Sequence, residues 1–234
     1  MTREEFEAAL KEDYTLIKVL SDKNGTKTLL LENNEKKIKT VLKILPERSG
    51  VYEFLDTVMH KNLPVIYGAV PLDGGYAIFE EFIDGASVAD TLEEHVYVYG
   101  EARKVVSSVC DALGVLHTHG FVHRDVKPEN VMIARDGTVK LIDFNVSREY
   151  KEGKERDTVV AGTIGYMSPE QYGVGQSDPR ADVYSVGVLL NVMLTGCHPS
   201  EKLCGGRARH IVEKCTHIDP DKRYKSAADL KAAL

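Results

Sequence analysis

The 234 residues, 43% hydrophobic and 28% charged, suffice for one globular domain with a substantial core, in one lobe or two. A formal net charge of −6 gives no general attraction to nucleic acid or anionic lipid, so neither is an expected partner. The longest apolar stretch, Val183 to Leu194, is broken by Ser185, Gly187 and Asn191 and falls short of the roughly 20 residues a membrane span needs; it reads as a buried helix.

In chain order, Thr2 with Glu5 three residues later makes a capping box, and Phe6, Ala9 and Leu10 form the apolar stripe of a short opening helix. Its acidic, polar start is unlike a secretory signal. Strand-like runs follow at Tyr14–Leu20, Thr26–Glu32 and Lys37–Leu45, the last two joined through Asn33-Asn34 as a hairpin. A helix is expected from Ser49 to about His60, with Val51, Phe54, Leu55 and Val58 inward. Leu63–Ala69 and Tyr76–Phe82 flank Leu72-Asp73-Gly74-Gly75 as a second hairpin.

Beyond Gly85 the pattern turns helical. Val105, Val109, Leu113 and Leu116 share a helix face, and Gly120 ends that helix. Asp182–Leu194, Ala208–Cys215 and Ala227–Leu234 are further predicted helices, with Gly196 and Ser226 as caps. The chain closes at Leu234 inside a predicted helix, which leaves open whether it is a fragment of a longer receptor. Cys110, Cys197, Cys204 and Cys215 show no C-x-x-C spacing, and are read as reduced thiols of a cytoplasmic protein.

The densest chemistry lies at His123-Arg124-Asp125-Val126-Lys127-Pro128-Glu129-Asn130, followed by two short apolar runs around Asp136-Gly137 and then by Asp143. Folding those runs as a hairpin brings Asn130 and Asp143 to one open end, with Asp125 just before them. Two carboxylates and an amide oxygen are hard ligands suited to Mg²⁺ that shares nucleotide phosphates. Together they are the parts of a phosphoryl-transfer site.

This segment resembles the catalytic and magnesium loops of eukaryotic-like protein kinases, of the serine/threonine type found in bacteria. Other pieces match in order over about residues 14 to 234. Val41-Leu42-Lys43 resembles the V-A-I-K strand, Ser168-Pro169-Glu170 resembles A-P-E, Asp182 the helix aspartate that braces the catalytic loop, and Arg223 the partner of Glu170. The resemblance implies an α+β, bilobal fold: a small β-rich N-lobe with one helix over about residues 1–82, a hinge at 81–85, and a larger helical C-lobe over 86–234.

It also implies roles. Asp125 would orient the substrate hydroxyl, Lys127 would neutralise the transferring phosphoryl group, and Asn130 and Asp143 would hold magnesium. Lys43 would contact the α- and β-phosphates of ATP. The backbone of Glu81 and Ile83 would bond the adenine, with Val41, Ile83 and Met132 packing its faces. Lys127 with Thr163 is the serine/threonine pattern, so the implied partner is a protein bearing serine or threonine. Thr158 reads equally as a phosphosite facing Arg124 or as an ordinary solvated threonine.

Three departures stand out. Residues 20–28 keep only Gly25 of the glycine-rich loop; Asn145 replaces the glycine of D-F-G, a mild change if it takes up left-handed backbone; and Val51 occupies the position of the glutamate that pairs with Lys43. Glu80, which the resemblance places at the back of the nucleotide pocket, reads either as the substitute partner of Lys43 or as a carboxylate that faces solvent or pairs with another residue. The stretch from Gly196 to Arg207 is short, so the substrate-docking helix there is expected to be absent. An active kinase, a pseudokinase serving as a nucleotide-binding or interaction module, and a kinase-like small-molecule phosphotransferase stay open, the last disfavoured by the Gly162–Glu170 segment.

Overall fold

A computed structural model of the chain describes residues 2–23, 25–150, 161–172 and 177–234. They form two compact units, Met1–His60 with Pro64–Ile83, and Lys61–Leu63 with Asp84–Leu234.

The first unit opens with α1 (Arg3–Asp13), where Thr2 Oγ1 accepts the Glu5 N–H at 3.1 Å and the Glu5 carboxylate accepts the Thr2 N–H at 2.8 Å. Five antiparallel strands follow: β1 (Tyr14–Lys23), β2 (Thr26–Asn33), β3 (Lys39–Leu45), β4 (Ile66–Leu72) and β5 (Gly75–Glu81), in the spatial order β1-β2-β3-β5-β4. Period-two alternation gives the sheet two different faces. Leu29, Leu31, Leu42, Ile44 and Ala77 lie on one, and Phe6 of α1 packs there with Phe79 edge-on at 6.2 Å. Full burial of a phenylalanine contributes about 1.5–3 kcal/mol, enough to dock this short helix. Val41, Lys43, Ile78 and Glu80 share the other face, because Val41 pairs with Glu80 and Lys43 with Ile78.

Helix α2 (Gly50–Asp56) follows β3. It stops four residues before the expected His60 and buries Val51, Tyr52 and Leu55, whereas Phe54 and Val58 are only half-buried. In so short a helix the i, i+1, i+4 set makes the inward stripe. Among the described residues this unit holds the two helices the sequence predicts, the opening helix α1 and the shorter α2.

In the second unit β6 (Gly85–Ser87) leads into α3 (Val88–Glu94), a helix the sequence reading missed although Ser87 and Asp90 form its capping box. Helix α4 (Tyr99–Thr118) buries Val105, Val109, Leu113 and Leu116 as expected. Strand β7 (Phe121–Val122), the hairpin β8 (Val131–Ala134) and β9 (Val139–Leu141), and β10 (Arg148–Glu149) follow; β10 pairs with β7. Lys61–Leu63 belongs here because the Asn62 side chain donates to the Val139 carbonyl at 2.7 Å, Leu141 N–H to the Asn62 carbonyl at 3.0 Å, and Lys140 Nζ to the Leu63 carbonyl at 2.9 Å.

Helix α5 (Pro179–Thr195) is capped by Asp178 and ended by left-handed Gly196, with α6 (Gly206–Cys215) and α7 (Ala227–Ala233) behind it. It is buried nearly all round, the property of a central helix. A Cβ on Gly187 would lie 2.3 Å from Cys215 Cβ, so the close approach of α5 and α6 requires glycine. Between Gly196 and Gly205 there is no helix, and the Asn191 side chain ties that stretch by bonding the Cys197 and Lys202 carbonyls and the Cys204 N–H. All four cysteines are free thiols, and burial pushes Cys110 up to about 12. Among the described residues no helix is long and apolar enough to cross a membrane.

Candidate functional site

The chemistry-bearing residues fall into one cluster in each unit. In the second, β7 delivers the chain to His123, and hydrogen bonds to main chain hold the loop that follows. Buried Asp182 of α5 accepts the N–H of His123 at 2.9 Å and of Arg124 at 2.8 Å, and His117 Nε2 lies 2.8 Å from the same carboxylate. Burial by itself would raise the Asp182 carboxyl, but the hydrogen bond and charge of His117, then His123 and the Arg124 N–H, hold it below the ordinary aspartate value.

Burial pushes the His123 imidazole down against the pull of Asp182, Asp125 and Asp143, which favours the neutral ring. That ring then both accepts and donates: Nδ1 takes the Asp125 N–H at 3.3 Å and Nε2 meets the Ile142 carbonyl at 3.2 Å. Arg124 itself has φ +71, a left-handed backbone costly for an ordinary residue. Gln171, from the segment after Glu170, takes the Arg124 carbonyl at 2.9 Å.

So held, Asp125 meets three groups. Thr163 Oγ1 donates to Asp125 Oδ1 at 2.6 Å, Lys127 Nζ lies 3.0 Å from Oδ2 and donates to Thr163 Oγ1 at 2.6 Å, and Asn130 Nδ2 donates to Oδ2 at 3.0 Å and to the Asp125 carbonyl at 2.8 Å. The two bonds from its nitrogen fix the Asn130 amide and leave Oδ1 as the atom a cation would take. The Ile142 N–H donates to the Asn130 carbonyl at 2.9 Å, which places Asp143 next along the chain. These oxygens fit magnesium, a hard cation that keeps waters and binds through one or two protein oxygens plus phosphates.

Asp143 has φ +66, whereas Asn145 does not take up left-handed backbone. The expectation that asparagine substitutes for glycine by tolerating that region is therefore corrected. The turn at residues 143–145 puts its unusual backbone on the aspartate, and position 145 makes no demand for glycine.

Glu170 and Arg223 form a fork-to-fork pair, Nη1 to Oε1 at 2.7 Å and Nη2 to Oε2 at 2.9 Å, with the Arg223 side chain wholly buried. Arg223 also donates to the carbonyls of His217, Arg180 and Ile218, so its donors are well used. Ser185 Oγ donates to the Tyr166 carbonyl at 2.7 Å and His198 Nε2 lies 2.9 Å from the Gly165 carbonyl, pinning the Gly162–Tyr166 segment. Thr158 lies outside the described residues.

In the first unit Lys43 Nζ is 3.0 Å from Glu80 Oε2, both side chains about 95% buried. Register explains the pairing: Glu80 faces Val41, two residues before Lys43 on the same face, so the two side chains are diagonal neighbours. Lys43 Nζ also donates to Tyr52 Oη at 3.0 Å. Val51 is buried without a polar atom, and Glu53 is engaged with Arg48. The Glu81 N–H is committed to the Val65 carbonyl at 2.8 Å, and its carboxylate accepts the Val65 N–H at 2.9 Å. Ile83 and Val41 are buried, and Met132, in the second unit, is half-buried.

Sequence reasoning missed Tyr52, His117, Gln171 and His198. Tyr52 was legible in the i, i+1, i+4 spacing of Val51, Tyr52 and Leu55; the other three act on main-chain or distant groups and leave no local signature.

The protein kinase domain family matches residues 22–232. The serine/threonine-protein kinase PknL of Mycobacterium tuberculosis is 35% identical over 213 residues, 85% of this chain and 53% of the relative. PknB of Mycolicibacterium smegmatis is 33% identical over 184 residues, 67% of this chain and 29% of the relative. The chain thus spans about half or less of the curated relatives it matches.

Proposed function

From the premise that this chain belongs to the protein kinase domain family, we propose that it transfers the γ-phosphoryl group of ATP, with Mg²⁺, to serine or threonine hydroxyls of proteins, itself included. The observation that carries this reading is a protein hydroxyl, Thr163 Oγ1, donating to Asp125 Oδ1 at 2.6 Å with Lys127 Nζ 2.6 Å from the same oxygen. An acceptor hydroxyl in the place of Thr163 would be oriented by the carboxylate and screened by the ammonium.

Its oxygen would then bond to the γ-phosphorus as the bond from that phosphorus to the β,γ-bridging oxygen breaks and ADP leaves; the hydroxyl proton passes to Asp125. Lys127 offsets charge on the transferring oxygens. Lys43 contacts the α- and β-phosphates. Asn130 Oδ1 and the Asp143 carboxylate would hold Mg²⁺, which when bound neutralises phosphate charge. Buried Val41 and Ile83 of the first unit would supply apolar surface for adenine. A free-thiol protein that consumes ATP fits the cytoplasm.

A second reading, a pseudokinase acting as a nucleotide-binding or interaction module, draws on the hairpin in place of a glycine-rich loop. Strands β1 and β2 stay paired as far as Lys23 and Thr26, with register shifts only at Leu16/Lys18 and Val19/Ser21, so few main-chain N–H groups near the turn are left to cradle phosphate, although Lys23 and Lys27 supply charge. Incubation with γ-labelled ATP in Mg²⁺, and again after chelation, decides between the two. The kinase reading expects Mg²⁺-dependent phosphoserine or phosphothreonine on the chain and on protein acceptors. Nucleotide binding with no label transferred establishes the second reading.

A further inference from the structure

Tyr52 is fully buried, in a helix whose other inward residues, Val51 and Leu55, are apolar. A phenol hydroxyl is costly to bury unless bonded. Here it accepts a charge-assisted bond from Lys43 Nζ at 3.0 Å.

A lysine ammonium carries three donors on a flexible four-carbon stem, so one ion pair leaves much of its freedom intact. Glu80 reaches it from the neighbouring strand β5, and Tyr52 from α2, so the two anchors come from different elements. The charge count favours a neutral second anchor. Lys43 and Glu80 already cancel, and a carboxylate at position 51 would make the group net negative beside the phosphates Lys43 is to contact.

We propose that Tyr52 is a positioning residue for Lys43, holding the ammonium from the helix with a neutral hydroxyl while Glu80 supplies the counter-charge from the sheet. The proposal rests on Lys43 being a phosphate ligand only for its effect on turnover; its effect on Lys43 itself is independent of catalysis.

The test is Tyr52→Phe in the full chain, which keeps the ring and removes Oη. The expected result is a fall of about tenfold in kcat/KM for MgATP, carried mainly by KM, with the chain still folded and its thermal midpoint lowered by no more than a few degrees. A second measurement needs no activity: the pH titration of the Lys43 ε-nitrogen by ¹⁵N NMR without nucleotide. Loss of an acceptor that favours the charged amine should lower its midpoint in Tyr52→Phe, and Glu80→Gln should lower it further. An unmoved Lys43 titration in Tyr52→Phe overturns the proposal, whatever the enzyme's activity. If that titration moves while ATP affinity is the same in wild type and Lys43→Met, the positioning stands and the phosphate-ligand reading fails.

Discussion

The two clusters are built by different means. Around Asp125, side chains grip the main chain: Asp182 accepts the N–H groups of His123 and Arg124, Gln171 Nε2 donates to the Arg124 carbonyl, and Asn130 Nδ2 donates to the Asp125 carbonyl. Around Lys43, side chains grip a side chain: Glu80 and Tyr52 meet an ammonium at the end of a flexible stem. A main-chain donor is fixed in space by the fold, so its acceptor must come from one place. An ammonium can be met from a strand or a helix, so its partners can sit at different positions in sequence. This accounts for a second unit that keeps the expected pattern and a first unit that lacks the helix glutamate yet still pairs its lysine.

The largest test of this contrast is Asp125→Asn, which retains the side chain's shape but loses the negative charge and one of the two oxygens that accept from Thr163, Asn130 and Lys127. Turnover should fall by about 10²–10⁴ with nucleotide affinity nearly unchanged. Full turnover in this variant would remove Asp125 from the mechanism and with it the functional difference between the clusters.

Next in size is Arg223→Met. It leaves the Glu170 carboxylate and three carbonyls without their donor, and loss of one partner of a buried pair costs about 3–5 kcal/mol. Urea unfolding should show that loss. A change within about 0.5 kcal/mol would mean that the fork-to-fork pair is replaceable, and the contrast between fixed and relocatable partners would lose its second-unit example.

The Lys43 and Glu80 pair is the sharper test within the first unit. In a double-mutant cycle of Lys43→Met and Glu80→Gln on kcat/KM, direct partners couple by about 0.5–3 kcal/mol, and the double variant should be little worse than Lys43→Met alone. Losses that multiply independently would show the pair to be a contact without consequence for Lys43.

How much of this was legible in the sequence follows the same division. The 123–130 loop, the hairpin that brings Asn130 and Asp143 together, and the Glu170 and Arg223 pair are written in residues close together or in distinctive order. Asp182 was legible as a brace, but its partner His117 was not, because the helical spacing of α4 gives no sign of what a side chain meets 65 positions away. Helix α2 ended early, and the i, i+3, i+4, i+7 spacing placed Phe54 and Val58 on its inward face beside Val51 and Leu55, leaving Tyr52 out of it. Asn145 shows the opposite error: a substitution away from glycine suggested a left-handed site, while the backbone places that conformation at Asp143.

The smallest expected effect concerns pH and tests whether main-chain bonds hold the second cluster. In the folded chain the Asp182 carboxyl sits below its ordinary value of 3.8, since His117, His123 and the Arg124 N–H outweigh the burial that would raise it. A carboxyl whose folded pKa is depressed adds stability that is fully present above its unfolded pKa. That stability is lost as pH falls through the folded value, because the unfolded chain then binds the proton more readily. The slope from one such group is at most about 1.4 kcal/mol per pH unit. Asp182→Asn cannot titrate, and its amide turns an N–H₂ group toward donors that previously met oxygen. It should therefore be less stable than wild type at pH 7, and the gap should narrow as pH drops below about 3.8. Urea unfolding midpoints of both proteins at pH 7, 5 and 3.5 measure this directly. Curves that stay parallel across that range would show that the carboxylate charge is not what anchors the His123 and Arg124 N–H groups, and that the loop is held by packing instead.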